Sequence, residues 1–224
     1  MCCITNLPNI ESSSLNLFAL LRADARYPRA LETFLGRAAP KQLTCVGNLD
    51  LLAEKSLALF CSSRCPGNLI LKTYDLAVEL RDAHIPVIGG FHTPMERECL
   101  RILLRGKQPV ILCLARNLGT RQILEEYRAP IQEERLLLLS PFETKHTRIT
   151  AATSAYRNRV IAALAANVFV AYAAPKGKTE QFCGEIAAWG KPFFTFGDVA
   201  NQNLVMLGAR SLLQTSEVSK TSDV

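Results

Sequence analysis

Short continuous apolar runs alternate along the chain with longer segments in which apolar residues recur at helical spacing. Apolar runs bounded by Gly, Pro or polar residues predict buried β-strands, and the helical spacing predicts amphipathic helices. The runs predicted to be strands are SLALFCSS (56–63), IPVIGGF (85–91), QPVILCLA (108–115), RLLLLSPF (135–142), NVFVAYAA (167–174) and KPFFTF (191–196). Because these runs are apolar throughout, both faces of each strand are expected to be buried.

Helices are predicted between most of these strands, and several of their ends carry clear signals. One helix opens at Thr93-Pro94 and closes at Gly106, and Thr150 is the expected N-cap of another. The predicted helical segments are 69–83, 93–106, 150–166, 178–190 and 203–209. Strand–helix alternation with right-handed crossovers predicts an α/β fold. Specifically, we expect a doubly wound, mostly parallel sheet in an extended, Rossmann-like three-layer sandwich.

The two ends of the chain differ from this middle part. Residues 51–212 are assigned to the Rossmann-like domain, 1–50 to a lead-in that packs on the sheet edge, and 213–224 to a polar tail. Within the lead-in, LNLFALLR (15–22) predicts a short amphipathic helix. A further helical stretch and a small strand, LTCVGN (43–48), follow it.

Composition excludes several classes of protein. The chain has 224 residues, of which 49% are hydrophobic and 21% charged, which is typical of a globular domain and not of a disordered, collagen-like or coiled-coil chain. No apolar stretch reaches the roughly 20 residues of a membrane span. The start, MCCITNLPNIESSS, lacks the features of a signal peptide, so a cytoplasmic protein with reduced cysteines is expected. The 8 cysteines show neither a disulfide framework nor zinc-ligand spacing, so no metal site is predicted. The net charge of +6 permits a polyanionic partner without establishing one.

Ligands of doubly wound sheets bind beyond the carboxyl ends of the strands, so the residues that follow each strand are the candidate site. The turn CSSRCPGN (61–68) offers hydroxyls, an arginine and a helix N-terminus to a phosphate, although it can also be a tight turn. The loop APKGKTE (174–180) offers lysines and a hydroxyl, although it can also be a charged surface turn. Neither is a GxGxxG or Walker A motif. The candidates from these and two other strand ends are Ser62, Ser63, Arg64, Gly67, Gly90, Arg116, Lys176, Gly177, Lys178 and Thr179.

Two further groups on helices complete the candidate chemistry. Arg157 and Arg159 flank Asn158 and lie about 200° apart around a helix, so we expect one at the cleft and the other at solvent or a carboxylate. A buried structural arginine is the alternative. His92 and Glu96 are four residues apart, as an acid–base pair or a polar helix-entry pair would be.

Taken together, these segments resemble the DprA/Smf family of DNA-processing proteins over about residues 27–212. YPRALETFLGRAAPKQLTCVGNLDLL resembles the lead-in of the family, and ALFCSSRCPG resembles its strand followed by Gly-Ser/Thr-Arg. RLLLLSPF resembles its Leu-Ser-Glu-Tyr-Pro strand end, and NLVMLGA resembles its closing motif. The most specific match is YRNRVIAALAANVFVAYAA, which resembles the Arg-Asn-Arg helix and the strand after it.

The resemblance implies a binding module. Members of the family have an extended Rossmann core, bind single-stranded DNA, self-associate and hand incoming DNA to the recombinase RecA in natural transformation, with no established catalytic cycle. The partners implied are thus single-stranded DNA, a RecA-type recombinase and further copies of the chain in a homodimer or larger oligomer, without a cofactor. By resemblance, Ser63 and Arg64 fall on the phosphate-contacting turn, Arg157 to Arg159 on the helix motif, and Asn203 and Gly208 on the closing motif. Aromatic residues considered for base stacking are Phe91, Phe142 and Tyr156.

Some segments depart from the family pattern. GGFHTPMEREC stands in place of Gly-x-Ala-x-Gly-Ile-Asp, and PKGKT stands in place of Ser-Gly-Ser. The second loop is similar to the Pro-Gly-Gly-x-Gly-Thr loop of LOG-type nucleotide proteins, which gives the alternative of a nucleotide-binding protein or nucleoside monophosphate hydrolase that uses the same cleft. In that alternative His92, Glu96 or Glu180 would do acid–base work, but Phe182 stands where those enzymes place a Glu. Because the sequence ends soon after Leu213, the winged-helix tail of many DprA proteins is expected to be missing.

Overall fold

A single nine-stranded sheet organises the part of the chain that the computed structural model describes, residues 17–119 and 123–212. The expectations for residues 1–16 and for the tail at 213–224 lie outside the described residues. The strands are β1 Leu17–Leu21, β2 Gln42–Val46, β3 Leu57–Phe60, β4 Val87–Gly89, β5 Val110–Cys113, β6 Leu136–Ser140, β7 Asn167–Val170, β8 Phe193–Phe196 and β9 Arg210–Leu212. The helices are α1 Arg29–Leu35, α2 Gly67–Asp82, α3 Pro94–Leu104, α4 Glu125–Gln132, α5 Ala151–Leu164, α6 Lys178–Ala188 and α7 Gln202–Met206.

The strand order is β1-β2-β6-β5-β4-β3-β7-β8-β9. The first two strands are antiparallel to their neighbours, and the pairs from β6 to β9 are all parallel. One apolar cluster lies on the sheet face covered by α1, α5 and α6, and a second lies on the face covered by α2 and α3. This arrangement confirms the predicted α/β, doubly wound, three-layer fold.

The central strands are buried along their whole length, as the continuous apolar runs predict. Every residue of β3, β5, β6 and β7 is buried. Alternate residues point to opposite faces of a strand, so Leu57 and Leu59 join one apolar cluster while Ala58 and Phe60 join the other. Helices on both faces therefore account for the nearly continuous apolar sequence of these strands, whose polar residues, Ser140 and Asn167, stand at strand ends.

Three elements differ from the sequence prediction. The described part of 15–22 is the edge strand β1 and not a helix, because it pairs antiparallel with β2 in the register Leu20↔Leu43. Only Leu20 of this strand is buried, so its apolar residues do not form the single buried stripe that an amphipathic helix needs. The pattern also misses α4, whose interior holds Pro130, and the three-residue strand β9.

The topology opens a crevice beside β3. The chain adds β4, β5 and β6 on one side of β3, and then returns through α5 to place β7 on the other side. Connections that leave neighbouring parallel strands in opposite directions create such a crevice at the carboxyl ends, which is where doubly wound sheets bind ligands. No helix in the described ranges has both the length and the apolar character of a membrane span.

Candidate functional site

A cleft of about 900 Å³ opens beyond the carboxyl ends of β3 and β4, beside the first turns of α5 and α6. Its walls come from the end of β3, the loop after β4, the first half of α5 and the first turns of α6. Six of the residues predicted from the sequence line it: Ser63, Gly90, Arg157, Asn158, Lys178 and Thr179. The remaining six, Ser62, Arg64, Gly67, Arg116, Lys176 and Gly177, are outside this lining.

Arg157 forms the floor of the cleft. Its side chain is buried, its Nε donates to Asn158 Oδ1 at 2.8 Å, and its Nη1 donates to the carbonyl of Cys113 at 3.1 Å. A Cβ placed on Gly90 would lie 1.9 Å from Nη1, so glycine is needed for the backbone to pass over the guanidinium. Burial lowers the pKa of Arg157, but an arginine remains charged at neutral pH. Within the described chain both hydrogen-bond acceptors of this cation are neutral.

Glu96 builds the wall beside it. The buried carboxylate accepts the backbone N–H of Cys61 at 2.9 Å through Oε1, and those of His92 and Thr93 at 2.9 and 3.1 Å through Oε2. Thr93 accepts the Glu96 N–H in return, which completes a capping box at the start of α3. Of the two interpretations considered for His92 and Glu96, the geometry favours a helix-entry contact, made by the His92 backbone and not by its ring.

The turn after β3 joins the two sides of the crevice. Ser62 donates its N–H to the carbonyl of Tyr172 at 2.9 Å, and its Oγ accepts the N–H of Ala174 at 3.0 Å. Ser63 and Arg64 are exposed, and Arg64 forms no hydrogen bond or ion pair within the described residues. The turn therefore leaves a hydroxyl and an unpaired cation at the surface, next to the start of α2.

The loop after β7 has a fixed conformation. Lys176 adopts a left-handed φ of +59°, and its N–H donates to Glu180 Oε2 at 2.6 Å. Gly177 cannot carry a side chain without strain, because its Cβ would lie 2.7 Å from the carbonyl oxygen of Ala174. Lys178 and Thr179 then begin α6 and line the cleft, while Lys176 points outside it.

Arg159 and Glu185 face each other on the wall formed by α5 and α6. Arg159 donates from Nε at 2.5 Å and from Nη2 at 2.7 Å to the two carboxylate oxygens of Glu185. Arg159 thus meets a carboxylate, as expected, but it also lines the cleft together with Arg157. The charge of Arg159 is therefore balanced directly by the Glu185 carboxylate.

The lining contains residues that the sequence reasoning did not select. Gln181, Phe182 and Glu185 follow Lys178 at spacings of three, four and seven residues, so they lie on the same face of α6. That spacing was the available signal for all three. Phe182 packs edge-to-face on Phe60, with ring centroids 5.1 Å apart, so the position that LOG-type enzymes give to a Glu is apolar here.

The candidate stacking aromatics do not reach this cleft. Phe91 and Phe142 are buried, at 5% and 8% exposure, and the Tyr156 hydroxyl donates to the carbonyl of Ala38 at 2.8 Å. The three aromatic residues pack within the fold and do not line this cleft, so stacking of bases by them stays a prediction. Phe91 instead lines a separate pocket of about 240 Å³ between α3 and α4, where Arg116 also lies.

Comparison with known proteins places the chain in a family. The family model of DNA recombination-mediator protein A matches residues 18–221. The chain belongs to this family. The resemblance seen in the sequence is thereby confirmed, although no match to the sequence was found among curated proteins.

Two solved structures of DNA processing protein A (DprA) share the fold. The protein from Streptococcus pneumoniae is 19% identical with a TM-score of 0.74, and the match covers 93% of this chain and 74% of that one. The protein from Helicobacter pylori gives the same identity and TM-score, and the match covers 93% of this chain and 96% of that one. The H. pylori structure describes the single-stranded DNA binding mode of that protein.

The closing motif of this DprA family member has a visible structural role. Asn203, near the start of α7, donates its side-chain N–H groups to Glu180 Oε1 at 2.5 Å and to the carbonyl of Ala173 at 3.0 Å. Glu180 in turn holds the backbone of Lys176. Asn203 therefore fixes the loop that carries Lys178 and Thr179 into the cleft, although it does not line the cleft itself.

Proposed function

We propose that this DprA family member binds single-stranded DNA in the cleft beyond the ends of β3 and β4, as a DNA-processing protein of natural transformation and recombination, without catalysis. The observation that carries the proposal is the buried Arg157 under Gly90, whose hydrogen-bond acceptors are neutral. A cation fixed in this way gives the open cleft a positive floor, which attracts the phosphates of a polyanion.

The cleft rim supplies the remaining contacts. Lys178 and Thr179 line the cleft on the α6 side, Ser63 lines it on the β3 side, and the exposed Arg64 follows Ser63. No side chain caps the first turn of α6, so the backbone N–H groups of Lys178 and Thr179, which line the cleft, remain available to phosphate oxygens. The single-stranded DNA binding mode described for H. pylori DprA supports single-stranded DNA as the polyanion.

The arrangement favours binding over hydrolysis. Glu96 and Glu180, two of the candidate acid–base groups, accept backbone N–H groups that hold the walls of the cleft. Phe182, which packs on Phe60, stands at the position where LOG-type enzymes place a Glu. Self-association and contact with a RecA-type recombinase belong to the proposal as well, and they rest on family membership.

The test is fluorescence anisotropy with a labelled oligo-dT strand over a salt series. We expect Lys178→Ala and Arg64→Ala to weaken binding severalfold and to reduce the salt dependence, which is about −0.7 in log–log slope for each neutralised phosphate of a single strand. Matched controls are Lys107→Ala and Arg105→Ala, because these exposed cations precede β5, at the amino ends of the parallel strands and away from the cleft. They should leave the affinity unchanged.

Two results would contradict the proposal. One is that the unaltered protein fails to bind at low salt, and the other is that all four variants weaken binding equally. If nucleoside monophosphates displace the labelled oligo-dT from the protein, the nucleotide-binding alternative would instead be favoured.

A further inference from the structure

A second pocket, of about 240 Å³, shares Gly90 with the cleft but belongs to a different part of the fold. Its walls come from α3, from β5 and the segment after it, from β6 and from the start of α4. The side chains proposed above to contact DNA do not line it. The second pocket is therefore a separate cavity that the proposed function leaves unused.

The interior of the second pocket is apolar. Five of its lining residues are buried, and all five are hydrophobic: Phe91, Leu100, Leu112, Leu118 and Leu138. A polar atom placed at this depth would find no hydrogen-bonding side chain among these five residues, and an unpaired polar atom costs free energy. The interior thus suits an aliphatic or aromatic group better than a nucleobase, which carries polar atoms along its edge.

The floor of the pocket is already in place in the free protein. Phe91 adopts a left-handed φ of +42°, which is uncommon for a residue with a side chain. Its ring packs so closely on the backbone of Gly89 that a Cβ there would lie 2.8 Å from the ring atom Cζ. Because the packing holds the ring in this position, a ligand does not have to create the cavity.

The volume indicates what kind of group can enter. Sites for small molecules and cofactors typically enclose about 300–1,000 Å³, so the second pocket is smaller than that class. Pockets at protein interfaces are often filled by single large apolar side chains that act as anchors. One such side chain, inserted from a partner, matches both the size and the apolar interior.

The mouth of the pocket carries positive charge. Arg97, Arg101 and Arg116 line it, and Glu126 is the acidic residue in the lining. Arg101 pairs with Glu98 at 2.9 Å, whereas Arg97 and Arg116 make no hydrogen bond or ion pair through their side chains within the described residues. Two arginines are thus free to bind carboxylates, and Glu126 on α4 directs an acidic partner toward the α3 side.

We propose that the second pocket docks an acidic peptide segment of a partner protein. One large apolar side chain of the segment fills the pocket, and carboxylates that flank this side chain pair with Arg97 and Arg116. Charge complementarity at the mouth and the apolar interior select the partner together. An acidic segment without the apolar anchor, or an apolar segment without the acids, meets only half of the site.

Binding is measured by fluorescence anisotropy with the full chain and a fluorescein-labelled peptide that contains Asp-Asp-Phe-Asp-Asp. We expect saturable binding that weakens as salt is added, because the charged contacts lie near the surface. Replacing the phenylalanine of the peptide by alanine should weaken binding about tenfold or more, since that side chain supplies the buried apolar area.

Two pairs of matched variants locate the site. Arg97→Ala should weaken binding severalfold, whereas Arg105→Ala, which removes an exposed cation at the end of the same helix and outside the lining, should not. Leu124→Asp places a carboxylate at the mouth and should also weaken binding. Its control is Leu71→Asp on α2, and both leucines are more than half exposed, at 57% and 65%, so neither change disturbs the core.

Several results would overturn the inference. One is that the peptide shows no saturable binding up to about 1 mM, and another is that both controls weaken binding as much as their partners do. If Lys178→Ala weakens binding while Leu124→Asp does not, the peptide lies in the cleft. If thymidine monophosphate or decanoate binds and loses affinity in Leu124→Asp while the peptide does not bind, the pocket takes a small molecule. A chain that binds the peptide in this pocket but fails to bind oligo-dT would refute the proposed function and leave this inference standing.

Discussion

Removing the Glu96 carboxylate tests how the cleft wall is built. Glu96 accepts three backbone N–H groups, from Cys61, His92 and Thr93. Of these three residues, Cys61 and Thr93 are buried. Glu96→Ala leaves these donors without their acceptor and removes a carboxylate that interacts with the Arg157 charge. Glu96→Gln keeps one acceptor oxygen but removes the charge. We therefore expect the alanine variant to be the more destabilised of the two.

The structure sets the magnitude. A buried donor left unpaired costs about 1–3 kcal/mol, so the two buried amides of Cys61 and Thr93 together give about 2–6 kcal/mol for Glu96→Ala. One lost acceptor and one lost charge give about 1–3 kcal/mol for Glu96→Gln. Since a domain has only about 5–15 kcal/mol of stability, the alanine variant approaches unfolding.

Urea unfolding followed by circular dichroism measures both changes. Glu98→Gln is the matched control, because Glu98 lies on the same helix and makes a solvent-accessible ion pair with Arg101 at 2.9 Å. That pair should contribute no more than about 0.5 kcal/mol. If Glu96→Ala lowers the free energy of unfolding by less than about 1 kcal/mol, then the amides have other acceptors and the reasoning is refuted.

Three further perturbations have defined outcomes. Gly90→Ala places a methyl group 1.9 Å from Arg157 Nη1, so the thermal midpoint and the oligo-dT affinity should both fall, whereas Gly184→Ala, which meets no atom within 4 Å, should leave both nearly unchanged. Burial raises the pKa of Cys113 to about 12. Its unfolded thiol ionises near ~8.5, so the folded state binds more protons above that pH and the free energy of unfolding falls by about 1.4 kcal/mol per pH unit for this thiol. Cys113→Ala should make the measured slope shallower by that amount, and an unchanged slope would contradict the assignment. Lys191 donates from Nζ to the carbonyls of Ala162, Ala163 and Ala165 at 2.5, 2.9 and 2.5 Å, so Lys191→Met should cost about 2–4 kcal/mol in urea unfolding, and a loss below about 1 kcal/mol would show that water replaces the ammonium.

The fold was accessible from the sequence because its central strands are apolar on both faces. Such runs, separated by capped helices such as the one that begins after Thr93, leave few alternatives to a parallel sheet. The edges were harder to predict. The run Leu17–Leu21 suits a helix or a strand in isolation, and only its pairing with β2 decides between them. Pro130 inside α4 likewise hides a helix that the neighbouring packing tolerates.

The candidate site was accessible in position but not in detail. The rule for parallel sheets leads to the end of the strands at which the cleft opens, and it selects Ser63, Gly90 and Lys178, which line that cleft. It cannot tell that Glu96 reaches back 35 residues to the amide of Cys61, because that contact depends on how α3 meets β3 in space. For the same reason helical spacing alone leaves Arg157 as either a buried or a cleft residue, whereas the structure makes it both.

The acidic residues near the cleft differ in what their carboxylates bind. The Glu96 carboxylate accepts hydrogen bonds from backbone amides. The Glu180 carboxylate accepts hydrogen bonds from the Lys176 amide and from the Asn203 side chain. Only Glu185 forms an ion pair inside the described cleft, and its partner is Arg159. Glu96 and Glu180 thus order the walls through amide hydrogens and form no ion pair with Arg157 in the described chain, although Glu96 still interacts with its charge. An arginine that is buried in the cleft floor and bonded to neutral acceptors supports the proposal that the cleft holds a polyanion by its phosphates.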